Sequence, residues 1–222
     1  MAEKMSMLLL WMVPFVFSLS FHEFAHAWSA NALGDPTAKF LGRMNLNPLS
    51  HADPFGTILF PVLGFFFGFP LIGWAKPVPV NESRLRNPTK DGMFVAAAGP
   101  LSNLVLAGVF TALAALIHAM TMPNGNGYLS TDLKQMGATG ALFLMCIFGL
   151  KLNVILAFFN LLPMPPLDGG RVLRGLFPQL SPQLAVVERY GFFILLVLLY
   201  TGLLSILLQP AFYLMNFLVS LI

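Results

Sequence analysis

The sequence predicts an all-α polytopic membrane protein, a bundle of about four to six transmembrane helices in one domain over residues 1–222. Two observations carry this prediction. Hydrophobic residues make up 57% of the chain and charged residues only 9%, whereas about a quarter of the residues of soluble domains are charged. Several apolar stretches also reach the ~20 residues that a helix needs to cross a bilayer. The lipid bilayer is therefore the expected surroundings. A surplus of only three positive charges, without a basic cluster, does not indicate nucleic-acid binding.

Four apolar stretches are long enough to span. In chain order they lie at about 6–30, 92–119, 137–162 and 189–208. A shorter stretch, 209–222, follows Pro210 and leaves a fifth span open. No internal repeat or soluble appendage is visible, so a single membrane-embedded domain is expected.

The segment 55–74 is also apolar, but it is interrupted repeatedly by glycine and proline. Such a composition disfavours a straight transmembrane helix. Two alternatives are a membrane-embedded re-entrant loop and a β-hairpin.

The distribution of basic residues predicts the orientation. The basic residues outside the predicted spans on one side are Lys39, Arg43, Lys76, Arg84, Arg86, Lys90, Arg171 and Arg174, and the other side keeps only Lys4 and Lys134. The positive-inside rule then places the amino terminus outside, and 31–91 and 168–188 in the cytoplasm. This orientation requires 55–74 to enter and leave on the same side.

A polar pentapeptide, His22-Glu23-Phe24-Ala25-His26, interrupts the first apolar stretch. On a helix His22 and His26 share a face and can bind one zinc ion, with Glu23 beside the open coordination position. HExxH also occurs by chance in unrelated proteins. Two histidines and a glutamate at membrane depth are costly, however, unless they have a function.

The third zinc ligand is less evident from the residues. Asp168 follows the third span in a stretch rich in proline and glycine, and the predicted orientation returns it to the depth of His26. An Asp-Gly-Gly sequence is otherwise typical of a turn or a helix N-cap. His51, Asp53 and Glu188 remain competing candidates.

Several segments together resemble one family. They are HEFAH at 22–26, NPLSHADPFG at 47–56, GWAKPVPVN at 73–81, AAAGPLSN at 96–103 and FNLLPMPPLDGGR at 159–171. In this order they resemble the site-2 proteases, the intramembrane zinc metalloproteases, and in particular the compact prokaryotic branch without PDZ or CBS domains. The resemblance implies that Asp168 is the third ligand, that one Zn2+ binds per chain, and that the helices carrying His22, Asn103 and Asp168 form a three-helix catalytic core.

Three further residues are candidates for substrate binding. The resemblance supports a role for Asn160 in holding substrate or the oxyanion, with a helix–helix hydrogen bond as the alternative. For Asn103 helix packing is the first interpretation and substrate contact the second. His51 is either a substrate or proton-transfer residue or a structural loop histidine.

The expected function is zinc-dependent hydrolysis of a peptide bond within or near a transmembrane segment of a membrane-protein substrate, as in regulated intramembrane proteolysis. Zinc held by His22, His26 and Asp168 activates water, and Glu23 transfers the proton. The expected location is the cell membrane, with the active site near the cytoplasmic face. The alternative is a membrane zinc-binding or metal-transport protein without hydrolase activity.

Overall fold

Four long apolar helices dominate the structure, a computed structural model that describes residues 2–68, 73–121 and 137–222. They are α1 (Ala2–Ala32), α5 (Pro88–Thr121), α6 (Gly137–Asn160) and α8 (Ser181–Tyr200). Each contains a stretch that is long and apolar enough to cross a membrane. The described residues contain no β-strand. The predicted all-α, multi-pass membrane fold is therefore confirmed.

Shorter helical segments connect or follow the long helices. They are α2 (Thr37–Phe40), α3 (Pro48–His51), a π-helical turn (Pro54–Leu59) that continues into α4 (Phe60–Phe67), a 3-10 turn (Glu82–Arg84), α7 (Asp168–Leu176), a second 3-10 turn (Pro178–Leu180), α9 (Leu203–Leu207) and α10 (Gln209–Ser220). Two of these segments, α3 and α7, pack against α1 and α5 respectively.

The helices α1, α5 and α6 pack together as the centre of the molecule. Close approach of α5 and α6 depends on Gly149, because a Cβ atom there would lie 2.7 Å from the ring of Phe110. On the far side, α10 covers α6 through a cluster of Ala107, Val154 and Ala211. Small residues at these contacts thus allow the helices to approach closely, as is common in membrane bundles.

The apolar segment after residue 53 doubles back on itself. Residues 54–67 are helical, so the β-hairpin alternative does not hold for them. Trp74 then donates its amide hydrogen to the Gly56 carbonyl (N–O 3.2 Å), and Lys76 donates to the His51 carbonyl (2.8 Å). The described ends of the segment therefore lie together, which is the arrangement that the orientation predicted from the basic residues needs. Residues 69–72 of the predicted segment lie outside the described part of the chain.

The fourth span differs from its predicted limits of 189–208. The helix α8 starts earlier, at Ser181 with Pro182 in its first turn, and it ends at Tyr200. Gly202 then adopts a left-handed conformation, with φ of 76°, which ends the helix although the sequence remains apolar. The following α10 has 12 residues, about 18 Å, and is too short to span a bilayer.

Candidate active site

Two histidines of α1 face the same point. His22 and His26 lie one turn apart, and their Nε2 atoms are separated by 3.0 Å. Both side chains are buried, and their ring planes are nearly perpendicular, at 86°. A spacing of four residues places them on one helix face, as predicted.

The second nitrogen of each ring is held away from this point. His22 Nδ1 lies 2.6 Å from Asn103 Oδ1, and His26 Nδ1 lies 2.7 Å from the carbonyl oxygen of Val95. Because both partners can only accept, each Nδ1 carries the proton and donates it. Each Nε2 therefore presents a lone pair, and the two lone pairs point at the same volume.

Asp168 contacts the histidines although it lies far from them in the sequence. α5 and α6 carry the chain away from the active-site end of α1 and back again, and a turn with a cis bond between Pro165 and Pro166 leads into α7. Asp168 Oδ2 lies 3.2 Å from His22 Nε2 and 3.3 Å from His26 Nε2. The turn packs tightly because the next residue is glycine: a Cβ atom at Gly169 would overlap backbone atoms of Leu161 and Leu162.

The three side chains fit a metal ion. Their ligand atoms all lie within 4.8 Å of one another, and Asp168 Oδ2 is buried without a hydrogen-bond partner. Two imidazole lone pairs and a carboxylate oxygen repel one another unless a cation lies between them. Tetrahedral zinc, with ligands at about 2.0–2.2 Å, separates its ligand atoms by about 3.3–3.6 Å, and the observed separations of 3.0, 3.2 and 3.3 Å are at or slightly below this range. The histidine and carboxylate donor set is one that zinc prefers.

Gly99 of α5 lies directly behind this group. A Cβ atom at this position would overlap the His26 ring and lie 2.7 Å from His22 Cε1. Small residues in membrane helices commonly allow neighbouring helices to approach each other. The structure shows that the helix α5 approaches the imidazole rings themselves.

Glu23 lies beside the ligands and is held by a backbone group that the sequence analysis did not identify. Its Oε2 accepts a hydrogen bond of 2.7 Å from the amide of Val78, and its side chain is buried. Within the described residues, Oε1 has no hydrogen-bond partner. The amide therefore orients the carboxylate and leaves one oxygen available.

Val78 belongs to an extended segment, residues 73–81, that is anchored along one edge. Successive anchors are the amides of Trp74, Lys76 and Val78, which donate to Gly56, His51 and Glu23 respectively. The intervening positions include Pro77 and Pro79, which have no amide hydrogen. Proline thus occupies the edge that turns away from these anchors, where no donor is needed.

Asp35 holds the far end of this segment. It is fully buried, and its two oxygens accept from both sides: Oδ2 from the Asn81 amide (2.6 Å) and Oδ1 from the amide (3.0 Å) and hydroxyl of Thr37. Burial alone would raise the pKa of the Asp35 carboxyl, but the hydrogen bonds, with Arg84 nearby, hold that pKa below its usual 3.8. Asp35 is thus a buried carboxylate whose ionised form stabilises the segment that carries Val78.

Replacing Asp35 with Asn is expected to lower the free energy of unfolding at neutral pH by about 1–3 kcal/mol, because the amide offers one acceptor oxygen to donors from two sides. The pKa is lower in the folded protein than in the unfolded chain. The carboxylate therefore contributes fully above about pH 5, and this contribution is lost as the pH falls below about 4. The Tm difference between wild type and variant, measured in detergent, should be constant above about pH 5 and narrow below about pH 4.

The matched control is Asp53→Asn. Asp53 caps the helical segment at Pro54 and accepts both of its hydrogen bonds, from the amides of Phe55 and Gly56, on one oxygen, which an asparagine can reproduce. Its Tm should change little. A Tm difference for Asp35→Asn that grows as the pH falls would contradict the role given to the Asp35 carboxylate.

The other candidates from the sequence lie in different surroundings. Asn160 lines the cavity beside the metal ligands. Asn103 is fully buried behind His22, an environment that favours packing over substrate contact. His51 is buried on α3, where its Nε2 is 2.8 Å from the Asn45 carbonyl oxygen and its own carbonyl anchors Lys76.

The competing third ligands have other partners. Asp53 is a helix cap, and Glu188 forms an ion pair with Arg174 at 3.2 Å. Among the described residues, His22, His26 and Asp168 form the one group that could hold a metal ion.

A cavity of about 210 Å³ opens onto the ligands. Its walls carry the three metal-binding side chains and Glu23, together with residues of the extended segment and of the α6–α7 turn. The remaining residues of the lining are Pro77, Val78, Val80, Val95, Asn160, Pro166 and Arg171. A peptide that enters this cavity would therefore meet the candidate base and the metal site together.

Comparison with known proteins agrees with this chemistry. A sequence model of Peptidase family M50 matches residues 10–201. YwhC of Bacillus subtilis strain 168, named as a zinc metalloprotease, is 42% identical over 199 residues, which cover 89% of this chain and 83% of the relative. Rip2 of Mycolicibacterium smegmatis, also named as a zinc metalloprotease, is 34% identical over 188 residues, or 83% of this chain and 64% of the relative. No solved structure matches the chain significantly.

Proposed function

The chain belongs to Peptidase family M50, the site-2 proteases, and is a zinc metalloprotease; on this premise we propose that it is an intramembrane endopeptidase that cleaves membrane-protein substrates within or near a transmembrane segment. The observation that carries the proposal is that Asp168 meets His22, Glu23 and His26, which belong to a helix that is apolar enough to span a bilayer.

The depth of the site supports an intramembrane substrate. α1 ends at Ala32, so His26 and His22 lie about 9 and 15 Å inside that end at 1.5 Å per residue. The 31 residues of α1 measure about 46 Å, which exceeds the ~30 Å hydrocarbon core, so the helix extends beyond the core. With α1 centred on the bilayer, His26 lies at the edge of the core and His22 lies about 7 Å inside it. A peptide bond that reaches these residues is therefore one drawn from a membrane segment or its edge.

The roles of the residues follow from their positions. His22, His26 and Asp168 would hold zinc, which supplies Lewis acidity when bound by lowering the pKa of a water molecule and polarising a carbonyl group. Glu23 accepts the proton of the attacking water on Oε1 and returns it to the leaving amine, while the Val78 amide holds Oε2. Asn160 keeps one amide hydrogen for substrate, because the other is donated to the Leu156 carbonyl (2.9 Å).

The extended segment 73–81 is the candidate for contact with an extended substrate. Residues 54–67 are helical and cannot act as an edge strand, whereas Pro77, Val78 and Val80 line the cavity. With proline at 77 and 79, a substrate strand on this edge would donate hydrogen bonds to carbonyl groups more often than it accepts them.

We place the protein in the cell membrane, with the active site near the cytoplasmic face. The basic residues of 31–91 and 168–188 flank the site, in agreement with the positive-inside rule. Its partners in this proposal are the bilayer and a transmembrane protein substrate, as in regulated intramembrane proteolysis. A metal-transport role is less well supported, because a transport path needs polar sites along its length.

The test uses the purified protein in liposomes together with a single-span reporter whose transmembrane segment contains helix-weakening glycine and asparagine residues. We expect two fragments whose new ends, identified by mass spectrometry, lie within or near the membrane segment. A zinc chelator should stop cleavage, and added zinc should restore it.

Two controls separate this function from its alternatives. A soluble unfolded protein offered to the same liposomes should not be cut, and cleavage of it alone would show a protease without an intramembrane substrate. Zinc uptake by the liposomes without cleavage of the reporter would instead support a transporter.

A further inference from the structure

Behind His22, on the side away from the cavity, lies a continuous chain of hydrogen-bonded side chains. His22 Nδ1 is 2.6 Å from Asn103 Oδ1, and Asn103 Nδ2 donates to Asn153 Oδ1 at 2.7 Å. Asn153 Nδ2 donates to Ser18 Oγ at 2.7 Å, and Ser18 Oγ donates to the Pro14 carbonyl at 2.6 Å. We call Asn103, Asn153 and Ser18 the amide relay.

The amide relay is completely enclosed. Ser18, Asn103 and Asn153 each have a relative exposure of 0%. The chain of hydrogen bonds starts at His22 on α1, passes through Asn103 on α5 and Asn153 on α6, and returns to α1 at Ser18, one turn before His22. Buried polar groups are costly unless each finds a partner. Every side-chain nitrogen and oxygen of these three residues has at least one hydrogen-bond partner, and such a network at the centre of a membrane bundle points to a specific role.

The direction of every hydrogen bond in the relay is determined. The Ser18 hydroxyl donates to a carbonyl, so its oxygen accepts from Asn153 Nδ2, whose other hydrogen is donated to the Gly149 carbonyl at 2.8 Å. Asn153 therefore presents its oxygen to Asn103, and Asn103 presents its own oxygen to His22. An oxygen at this position requires the proton of His22 to be on Nδ1.

We propose that the amide relay of Ser18, Asn153 and Asn103 positions His22 as a metal ligand by holding it in the Nδ1-protonated tautomer, so that the Nε2 lone pair is always available to zinc. Asn103 acts directly and the other two act through it. This inference rests on the zinc site of the proposed function, but it concerns metal retention and not cleavage.

The use of amides in place of a carboxylate has a physical reason. Metal-bound histidines commonly donate to a carboxylate, a backbone carbonyl or water. His26 uses the Val95 carbonyl, which is available from the backbone of α5. For His22 a carboxylate would add a buried negative charge at membrane depth, which is expensive, whereas an asparagine supplies the acceptor oxygen without charge.

The relay also links three helices, so the experiment must separate metal positioning from packing. The chain offers two matched controls. Thr111, like Asn103, is a buried polar residue on α5, but its hydroxyl, within the described part of the chain, donates only to the Ala107 carbonyl of its own helix (2.8 Å). Ser20 is a buried serine on α1, like Ser18, but among the residues that the structure describes its hydroxyl donates only to the Val16 carbonyl (2.8 Å).

The measurement is the zinc dissociation constant of the purified full-length protein in detergent, obtained by competition with a chelator, alongside Tm in the zinc-free state. For Asn103→Leu we expect zinc binding to weaken by about 10- to 100-fold, against a change of less than about twofold for Thr111→Val. For Asn103→Asp, which keeps the acceptor oxygen, we expect zinc binding to recover to the wild-type level or better even though the added buried charge lowers Tm.

A role in packing alone predicts the opposite pattern. Zinc affinity would then follow Tm, Asn103→Asp would bind zinc no better than Asn103→Leu, and the proposal would be overturned. It would also be overturned if Asn103→Leu bound zinc as tightly as Thr111→Val does.

If Asn103→Leu does not fold, the serine pair decides the question. Ser18→Ala removes the group that orients Asn153, so we expect zinc binding to weaken several-fold relative to Ser20→Ala. Equal zinc affinities of the two variants would overturn the proposal.

These zinc-binding outcomes are independent of proteolysis. A wild type that binds zinc but does not cleave the reporter would refute the proposed function and leave the relay standing.

Discussion

Replacing Glu23 with Gln is expected to abolish peptide-bond hydrolysis while the protein keeps its zinc. Glutamine has the shape of glutamate, and its side-chain oxygen can still accept the hydrogen bond from the Val78 amide. Its nitrogen, however, cannot accept a proton from water. Since general-base catalysis contributes about 10²–10⁴-fold, cleavage of the liposome reporter should fall by at least about 100-fold. Zinc content should be unchanged, because Glu23 is outside the ligand group of His22, His26 and Asp168.

The matched control is Glu82→Gln, an exposed glutamate in the turn before α5, which should leave both cleavage and zinc content at wild-type values. Reporter cleavage by Glu23→Gln at a rate near that of the wild type would show that another group is the base. Loss of zinc from Glu23→Gln would show instead that Glu23 is a ligand. An inactive variant that retains zinc would also serve to capture substrates.

Replacing Gly99 with Ala is expected to remove zinc although the substitution favours helix formation. Alanine in a helix interior is more stable than glycine by about 0.5–1 kcal/mol, so α5 itself should not be weakened. The added Cβ atom, however, would overlap the His26 ring and lie 2.7 Å from His22 Cε1. Both rings would have to move, and neither can move without losing its Nδ1 partner or its alignment with Asp168. Zinc per chain, measured after dialysis against a weak chelator, should fall from about one to near zero.

Gly108→Ala provides the control on the same helix. A Cβ atom at Gly108 would meet nothing within 4 Å, so this variant should keep its zinc and its cleavage activity, with an unchanged or slightly higher Tm. If Gly99→Ala retained a full complement of zinc, the close contact between α5 and the imidazole rings would not exist in solution.

The parts of the site that could be predicted are those with a local pattern or a topological argument. The pairing of His22 and His26 could be predicted from helical spacing, and the position of Asp168 from the number of membrane crossings and from the family resemblance.

The secondary structure of 55–74 was harder to predict, because its glycines and prolines disfavour a helix. The structure nevertheless forms one over Pro54–Phe67, with Asp53 capping its first turn. A cap and an early proline outweigh glycine content over so short a helix.

The limits of the fourth span show a similar conflict. Hydropathy placed it at 189–208, because apolar residues continue through that stretch. Pro182 and Gly202 instead determine where α8 begins and ends, since backbone conformation, and not hydrophobicity, decides whether a helix continues.

The sequence by itself determined the membrane environment, the long helices and the paired histidines, because composition and spacing along a helix are properties of neighbouring residues. Only the tertiary structure decided what holds these groups in place: the Val78 amide on Glu23, Gly99 against the imidazole rings, and the amide relay behind His22. A backbone amide has no residue-specific signature, a glycine looks the same wherever two helices touch, and an asparagine can face substrate or a histidine. Which of these occurs depends on distances across helices that only packing determines.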